Sequence, residues 1–453
     1  MELSKKIAQY LAKCQYEDIP KETIEATKLG IMDTIGVGIA GTGAPGYPIA
    51  LKLFKEFGGR EDATVMMDGT KLPAPEAAFL NALAFHACDF DDTYDEGPLH
   101  CYCTALAAAL AAAEMKGEVS GKELLLAVAL GVDLNARLAR SITTPLSWVR
   151  TATCGCFGAA AAAGKILGLD ETGMLNALGV VYSQTAGNSQ CQSDGGLSKR
   201  MQPGFSARAG VLSALMAERG VTGAVSVFEG PFGYMNLYEK GQYDEAVLMK
   251  GMGTEFLGRY VSIKPYPSCR MTHAAIDAAL LAKEKYGFSA EEVEHIDVYT
   301  SAMCRKMVGE PFKVRTNPQV DAQFSIPYTV SVALHVGTVS LTEIEDAYVR
   351  NPYWEEYAKR ITVHVDPELP DKEVKASTLK LKLKDGRELT YHLDTFRGHP
   401  DNPLSFELCK EKFFRCADLG IRKLTEEQKE NILAHIMALD AADEITSMIE
   451  AIA

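Results

Sequence analysis

The sequence lacks any apolar run that approaches the ~20 residues a helix needs to span a bilayer. Its N-terminal segment, MELSKKIAQYLAKCQ, is amphipathic and has no apolar centre of the kind found in secretory signal peptides. With 47% hydrophobic and 23% charged residues, the composition is that of a globular chain. We therefore expect a soluble, cytoplasmic protein with no membrane partner.

The chain has fewer basic than acidic residues. The chain carries 46 Lys and Arg against 60 Asp and Glu, which gives a net charge of −14. General nucleic-acid binding needs a basic face, so we expect no nucleic-acid partner. The acidity still permits a small anionic substrate, because a few cations in one cleft outweigh a distant negative field.

Several common site motifs are also missing. There is no GxSxG elbow, no P-loop and no GxGxxG that opens a βαβ unit. Eleven cysteines form an odd, scattered set, as expected for reduced thiols. Cys101-x-Cys103 and Cys154-x-Cys156, even with His100 beside them, have the wrong spacing for zinc and stand next to Ala-rich helical patterns. We expect no metal.

The pattern of apolar residues divides the chain. Helical spacing dominates up to about Tyr260. A mixed stretch follows, with predicted strands at His295–Thr300, Arg360–Val365, Ser377–Leu383 and Leu389–Leu393. We predict a mostly α fold in which residues 1–260 and 397–453 form a large helical domain and residues 261–396 form an inserted, smaller α+β domain.

The stretch from Ala84 to Glu114 interrupts two Ala-rich helical patterns with polar side chains. These are Asp89, Asp91, Asp92, Thr93, Asp95, Glu96 and His100. A run of carboxylates between helices is costly unless solvent, a partner or a substrate compensates it, so we expect chemistry here. We interpret Asp91 and Asp92 as helix-end residues that face solvent, and His86 as a satisfied core residue.

Cationic candidates stand farther along the chain. The pair Lys199-Arg200 lies in a polar, Gly-rich segment before a predicted helix at Phe205–Arg219, either as a functional loop or as a solvated loop end. Later candidates are Lys264, His273 and Tyr328. Lys or Arg combined with His, Asp and Tyr suits the binding of a carboxylate and the movement of a proton beside it. The residues alone predict cofactor-free proton chemistry on a small anion.

Four ordered segments carry a family resemblance: NALAFHACDFDDTYDEG, SKRMQPGFSARAGVLSALMAERGVTG, KPYPSCRMTHAAIDA and FSIPYTVSVAL. Together they resemble the MmgE/PrpD superfamily, which contains 2-methylcitrate dehydratases, cis-aconitate decarboxylase and iminodisuccinate epimerase. The resemblance covers nearly the whole chain. It implies a large helical domain built from both ends of the chain, a smaller α+β lid, a homodimer and no cofactor.

The resemblance also implies site residues. Asp89 and Thr93 fall at the Asp and Thr of the family's DFDDT segment, and His100 stands where the family has a catalytic His. Lys199, Lys264 and Tyr328 match two active-site Lys positions and a lid Tyr. The catalytic set expected from these matches is His100, Lys264, Asp89, Lys199 and Tyr328. We expect the site to lie between the lid and the helical body, where closure would gate substrate entry.

Substrate binding is expected of Thr93, Arg150, Arg200, His273 and Cys269. Arg150 supplies a fixed positive charge for a second carboxylate. His273 and Cys269 also have structural interpretations, as a packed helix-start residue and as a buried thiol.

The chain departs from the family pattern at several positions. Val149 stands where many members have a catalytic His, and Cys269 replaces a second His of the decarboxylase branch. Gln202 falls in MQPG, where many members read LHPG. Losing imidazoles removes proton donors and acceptors that work near neutral pH, which argues against decarboxylation.

Three functional hypotheses follow. The first is a cofactor-independent hydratase or dehydratase that acts on a small hydroxylated di- or tricarboxylate, such as a 2-methylcitrate-like acid, by abstracting a proton next to a carboxylate. The second is an epimerase or isomerase of a small dicarboxylate such as iminodisuccinate. The third is a catalytically inactive, carboxylate-binding homodimer.

Overall fold

A computed structural model describes residues 2–194 and 196–453. Within them the chain is mostly helical with only small sheets, which confirms the predicted mostly α class. None of the helices in the described residues is both long and apolar enough to cross a membrane.

Helices occupy most of the first 260 residues. In order, they are α1 (Leu3–Lys13), α2 (Lys21–Thr42), α3 (Tyr47–Phe57), α4 (Ala74–His86), α5 (Tyr102–Lys116), α6 (Gly121–Ser141), α7 (Arg150–Thr153), α8 (Gly155–Ile166), α9 (Glu171–Tyr182), α10 (Gln190–Ser193), α11 (Ser198–Glu218), α12 (Tyr234–Leu237) and α13 (Glu245–Met249). Two short strands, β1 (Ala63–Thr64) and β2 (Lys71–Leu72), pair antiparallel between α3 and α4.

The rest of the chain alternates helices and strands before it ends in helices. Its helices are α14 (His273–Tyr286), α15 (Ala302–Val308), α16 (Pro318–Gln323), α17 (Ile326–Val336), α18 (Asp346–Val349), α19 (Pro352–Ala358), α20 (Phe406–Ala417), α21 (Glu426–Met437) and α22 (Thr446–Ile452). Its strands are β3 (Val293–Thr300), β4 (Ile361–Val365), β5 (Ser377–Leu383) and β6 (Glu388–Leu393).

The chain forms two compact units. The first contains the residues up to Cys191, Leu197–Val261 and Ser405–Ala453, and the second contains Ser262–Leu404 with a few residues before Leu197. The role of a lid expected for the α+β segment stays a prediction.

Small side chains set the spacing of helices in the first unit. In α5 every residue from Tyr102 to Ala113 is buried, and α8 is Ala-rich and almost fully buried. A Cβ on Gly210 of α11 would lie 2.5 Å from the Cβ of Ala159 of α8, so only glycine permits this approach. Ala and Gly faces bring these helices close together.

Helix α11 begins earlier than predicted. The predicted helix at Phe205–Arg219 starts instead at Ser198, so Lys199 and Arg200 lie on its first turn and the predicted loop end is wrong. Pro203 stands inside the helix, where it removes one backbone hydrogen bond. Packing of α11 against α4 and α8 offsets that loss.

The second unit is built on one four-stranded sheet. Its strand order is β4-β3-β5-β6, with β3 and β4 parallel and the other pairs antiparallel. Alternate residues such as Ile296, Val298, Leu379 and Leu381 are buried in a core shared with α14 and α17. The strands predicted from period-two alternation therefore have their apolar face inward.

Candidate active site

The turn between α4 and α5 holds a run of acidic residues at the end of one buried helix and the start of another. Asp92 accepts hydrogen bonds from the backbone N–H groups of Cys101 (2.7 Å) and Tyr102 (3.2 Å), at the N-terminus of α5. Helix N-termini favour negative groups, so these bonds partly offset the free-energy cost of burying the Asp92 carboxylate. Asp89 adopts a left-handed backbone conformation, with φ of 51°.

Two buried residues form the inner part of the site. The side chains of His86 and Asp91 are 1% and 0% exposed, and His86 Nδ1 lies 3.0 Å from Asp91 Oδ2. Burial, together with the positive charge of Lys199, lowers the pKa of His86 to about 4. His86 is therefore neutral near pH 7. Because a Lys ammonium can only donate, its 3.1 Å contact with His86 Nε2 assigns the imidazole proton to Nδ1, which donates to Asp91.

Three more accessible residues complete the group. The side chains of His100, Lys199 and Asp89 are 14%, 17% and 8% exposed. Lys199 Nζ donates to Asp89 Oδ2 at 3.0 Å, and His100 Nε2 lies 3.6 Å from Asp89 Oδ1. His100 Nδ1 lies 3.1 Å from Asp91 Oδ1, an ion-pair distance at an angle unfavourable for a hydrogen bond. We call Asp89, Lys199, His86, Asp91 and His100 the five-residue ring.

The pKa values of two neighbouring carboxyl groups in this turn are shifted in opposite directions. Burial alone would raise the pKa of Asp91, but its contacts with His100 and His86 hold that pKa below its ordinary value. Burial and the charge of Asp91 raise the pKa of Asp92 well above the ordinary value. Environments that push two carboxyl pKa values apart are typical of acid–base sites.

Other predicted binding residues of the first unit surround this turn. Thr93 is buried, and its Oγ1 has no hydrogen-bond partner among the residues the structure describes, which leaves it available to a ligand. The backbone N–H of His100 donates to Thr151 Oγ1 at 3.1 Å, next to Arg150 on α7. Arg150 is itself buried and donates to the carbonyl of Thr144. Arg200 is buried and donates to the carbonyl of Pro45.

The remaining predicted residues belong to the second unit. Lys264 is buried, and Cys269 is half-buried against the core of that unit. His273, the first residue of α14, is buried with Nε2 3.3 Å from the carbonyl of Ser268. The hydroxyl of Tyr328 donates to the carbonyl of Glu343. The catalytic and binding roles expected of these four residues stay predictions.

The sequence interpretation assigned no role in the site to two members of the five-residue ring, Asp91 and His86. Asp91 and Asp92 were expected to face solvent, and this is wrong, because both are fully buried. His86 is buried as expected, but it contacts two charged ring members rather than apolar neighbours alone. One signal was available: His86 is the last residue of an apolar helical pattern, directly before a turn with carboxylates three and five residues later.

The five-residue ring, together with Cys103 beside it, contains side chains of the types that bind metals. Asp89, Asp91 and His100 form one triad and His86, Asp91 and Cys103 another, each with ligand atoms within 4.8 Å of one another. The Lys199 ammonium contacts Asp89 of the first triad and His86 of the second. A bound cation would have to compete with this positive charge for the same donors.

The cysteines beside the site behave as apolar residues. Cys101, Cys103, Cys154 and Cys156 are all buried. Burial raises the pKa of each thiol, in the case of Cys154 to about 11 and of Cys156 to about 12. A protonated, buried thiol is a poor nucleophile and a poor metal ligand.

The geometry suits proton transfer next to an anionic group. His100 has one nitrogen near the buried Asp91 carboxylate and the other on the more accessible side of the ring. Lys199 provides a positive charge within 3.0 Å of Asp89. An imidazole oriented by a carboxylate acts as a general base, and a nearby ammonium stabilises negative charge that develops on a substrate.

Comparison with known families and proteins adds independent information. Residues 5–246 match the MmgE/PrpD N-terminal domain, and residues 266–439 match the MmgE/PrpD C-terminal domain. The chain is similar to cis-aconitate decarboxylase of Aspergillus terreus strain NIH 2624, at 26% identity over 98% of this chain and 94% of that protein. It is also similar to cis-aconitate decarboxylase of Homo sapiens, at 28% identity over 94% and 90%, and of Mus musculus, at 26% over 94% and 89%.

Proposed function

We propose, because this chain belongs to the MmgE/PrpD family, that it is a lyase for a small di- or tricarboxylate. The five-residue ring would be its reactive centre. The single observation that carries this proposal is the contact of one His100 nitrogen with the buried Asp91, which leaves the other nitrogen on the accessible side beside Lys199 and Asp89. The names of the relatives support the reaction class, since a decarboxylase is a lyase.

His100 is the proposed general base. It takes a proton from the carbon next to a substrate carboxylate, and the Asp91 carboxylate stabilises the imidazolium that forms. Loss of that proton creates an enolate-like dianion, which is unstable without a nearby cation. Lys199 supplies that charge from the first turn of α11, and the Thr93 hydroxyl is placed to bond a substrate oxygen.

Elimination of water is the first candidate reaction. The electron pair of the broken carbon–hydrogen bond forms the new double bond, and the electron pair of the carbon–oxygen bond leaves with the oxygen. The departing hydroxide takes the proton from the His100 imidazolium and leaves as water. This chemistry needs one base and one stabilising cation, which His100 and Lys199 provide in the first unit. It is the reaction favoured by the loss of imidazoles at Val149 and Cys269.

Decarboxylation is the second candidate, and the names of the relatives favour it. Here a carbon–carbon bond breaks, its electron pair stays on the substrate as carbon dioxide leaves, and a proton is added to that carbon. Protonated His100 would then act as the donor rather than the acceptor. The same side chains serve both reactions because each passes through an electron-rich carbon next to a carboxylate.

Incubation in deuterated water distinguishes these reactions. Hydroxylated and unsaturated di- and tricarboxylates are each mixed with the purified protein and followed by proton and carbon NMR. Loss of water supports the first candidate, and release of carbon dioxide with one deuterium incorporated supports the second. Inversion with deuterium uptake would identify an epimerase instead, and no turnover across the panel would leave a carboxylate-binding protein.

A substitution tests the site itself. His100→Gln keeps a side chain of similar size but cannot act as a base near neutral pH, so we expect kcat to fall by about 100-fold or more. His392→Gln is the matched control, since His392 is an exposed histidine of the second unit whose Nδ1 contacts Thr378 Oγ1. Unchanged turnover in a folded His100→Gln protein would refute this site.

A further inference from the structure

A buried ion pair lies next to the acidic turn, formed by residues from distant parts of the chain. Lys412 of α20 and Asp33 of α2 are 5% and 2% exposed, and Lys412 Nζ lies 2.6 Å from Asp33 Oδ1. Burying two charges in a helical core is unfavourable unless the pair also makes good contacts elsewhere. A purely packing role would be served as well by apolar side chains.

Lys412 makes those further contacts with the turn itself. Its ammonium donates to the carbonyl of Phe90 at 2.8 Å and lies 3.9 Å from the centroid of the Phe90 ring. Phe90 stands between Asp89 and Asp91, and its carbonyl belongs to the peptide that joins it to Asp91. One buried cation therefore holds the backbone that links two members of the five-residue ring.

Two features of this turn are unfavourable in the absence of a neighbouring cation. Asp89 has a positive φ, a conformation that is uncommon for residues other than glycine, although Asp adopts it more readily than most. Asp89, Asp91 and Asp92 also crowd three carboxyl groups into four residues, and negative groups at this spacing repel one another. A cation on the carbonyl between two of them reduces this repulsion and holds the backbone that follows Asp89.

We propose that Lys412 is a positioning residue: by holding the Phe90 carbonyl, it fixes the directions of Asp89 and Asp91 and through them the arrangement of His86, His100 and Lys199. Asp33 acts through Lys412 by keeping its ammonium in place. The consequence for turnover rests on the proposed function, but the consequence for the geometry of the ring does not.

The experiment compares the wild type with the double variant Asp33→Asn/Lys412→Met. Both charges are removed together so that neither is left buried without its partner. The measurements are the ring ¹⁵N chemical shifts of His86 and His100 by NMR, the pH profile of kcat/KM, and kcat and KM separately. Thermal unfolding and circular dichroism establish that the variant is folded.

We expect the histidine signals of the double variant to move and the pH profile to change. We expect kcat to fall by about tenfold while KM changes by less than about threefold, because a misplaced base slows the chemical step more than it weakens binding. Lys412→Arg, which retains a buried cation able to donate to the Phe90 carbonyl, restores most of kcat and the wild-type signals.

Lys429→Met is the matched control. Lys429 of α21 is another buried lysine of the C-terminal segment. Its ammonium pairs with Glu426 of the same helix at 2.6 Å and with Asp418, the residue after α20, at 2.5 Å, and both of these carboxylates are exposed. It supplies charge burial without a contact to the turn, so its loss lowers stability and leaves the histidine signals and the pH profile unchanged.

Unmoved histidine signals in a folded double variant would overturn the inference. If the double variant does not fold, the single variant Asp33→Asn is measured instead, because it removes the carboxylate that holds the Lys412 ammonium. Unmoved histidine signals in that variant would count equally against a positioning role. If the wild type turns over none of the acids tested, the proposed function fails, while the NMR comparison still decides the role of Lys412.

Discussion

At the scale of single residues, burial decides which groups of the acidic turn carry charge. His86 and Asp91 are both inaccessible, yet one is held neutral and the other ionised. The ionised form of Asp91 is stabilised by two imidazoles at hydrogen-bonding distance. Asp92 accepts two backbone N–H bonds, but burial and the charge of Asp91 disfavour its ionised form. Residue type alone does not distinguish these adjacent carboxyls.

The substitution Asp91→Asn tests whether the negative charge of Asp91 is needed for turnover. The amide keeps the shape of the side chain but cannot stabilise a His100 imidazolium, so we expect kcat to fall by about 100-fold with a smaller change in KM. Steady-state kinetics across pH provide the measurement.

The neighbouring substitution Asp92→Asn is the comparison. Its amide oxygen can still accept from the backbone N–H groups at the start of α5, so we expect the unfolding free energy to change by less than about 1 kcal/mol. The pH profile of its turnover should match that of the wild type. Equal effects of the two substitutions on kcat would contradict a special role for Asp91.

The depressed pKa of His86 predicts how stability depends on pH. A histidine in the unfolded chain binds its proton near pH 6.5, whereas folded His86 does so only near pH 4. Between these values the unfolded state binds more protons, so stability falls as pH falls from about 6.5 to 4, by about 3 kcal/mol from this group. Urea unfolding at stepped pH measures the slope.

His86→Gln should flatten this slope, since glutamine does not titrate. His392→Gln should retain it, because His392 is not buried. A slope that survives unchanged in His86→Gln would show that other groups account for the pH dependence.

At the scale of elements, the site depends on where two helices begin and end. Helix α4 ends at His86 and α11 begins at Ser198, one residue before Lys199. Gln202, on the second turn of α11, accepts a bond from the Asn188 N–H and donates to the Asn188 carbonyl, which secures the chain before the helix. Placing Lys199 on a helical turn gives its ammonium a more defined position than a loop would.

Lys199→Met tests the electrostatic link between these elements. Because the Lys199 charge helps to lower the pKa of His86, its removal should raise that pKa from about 4 toward the ordinary value. NMR titration of the His86 ring measures the change without reference to any substrate.

Arg208→Met provides the control on the same helix. Arg208 is exposed and paired with Glu76, so its loss removes a positive charge from α11 outside the ring. We expect no change in the His86 titration. A His86 pKa unaffected by Lys199→Met would mean that burial alone sets it.

At the scale of the whole molecule, a distant residue of the chain, Lys199, supplies positive charge to the five-residue ring. Lys199 contacts both groups of potential metal donors. We therefore expect dialysis against a chelator to leave turnover and thermal unfolding unchanged. Activity that is lost on chelation and restored by a divalent cation would show that a metal, rather than Lys199, supplies the charge at this site.

Much of the architecture follows from sequence patterns. Apolar residues at helical spacing and Ala-rich faces predicted the helices, and period-two alternation predicted strands such as Ser377–Leu383. The four family motifs predicted the MmgE/PrpD membership. The start of α11 was missed because Pro203 and nearby glycines favour a loop locally, and only packing against α4 and α8 reverses that preference.

The sequence by itself determined the helical class, the mixed character of the segment after Tyr260, and the choice of Asp89, His100 and Lys199 as candidates. Only the tertiary structure decided that Asp91 is buried between two imidazoles and that Lys412 bonds the carbonyl of Phe90, 322 residues away in the chain. The reason is physical: residue type and spacing govern local conformation, whereas burial and long-range contacts set charge states and directions.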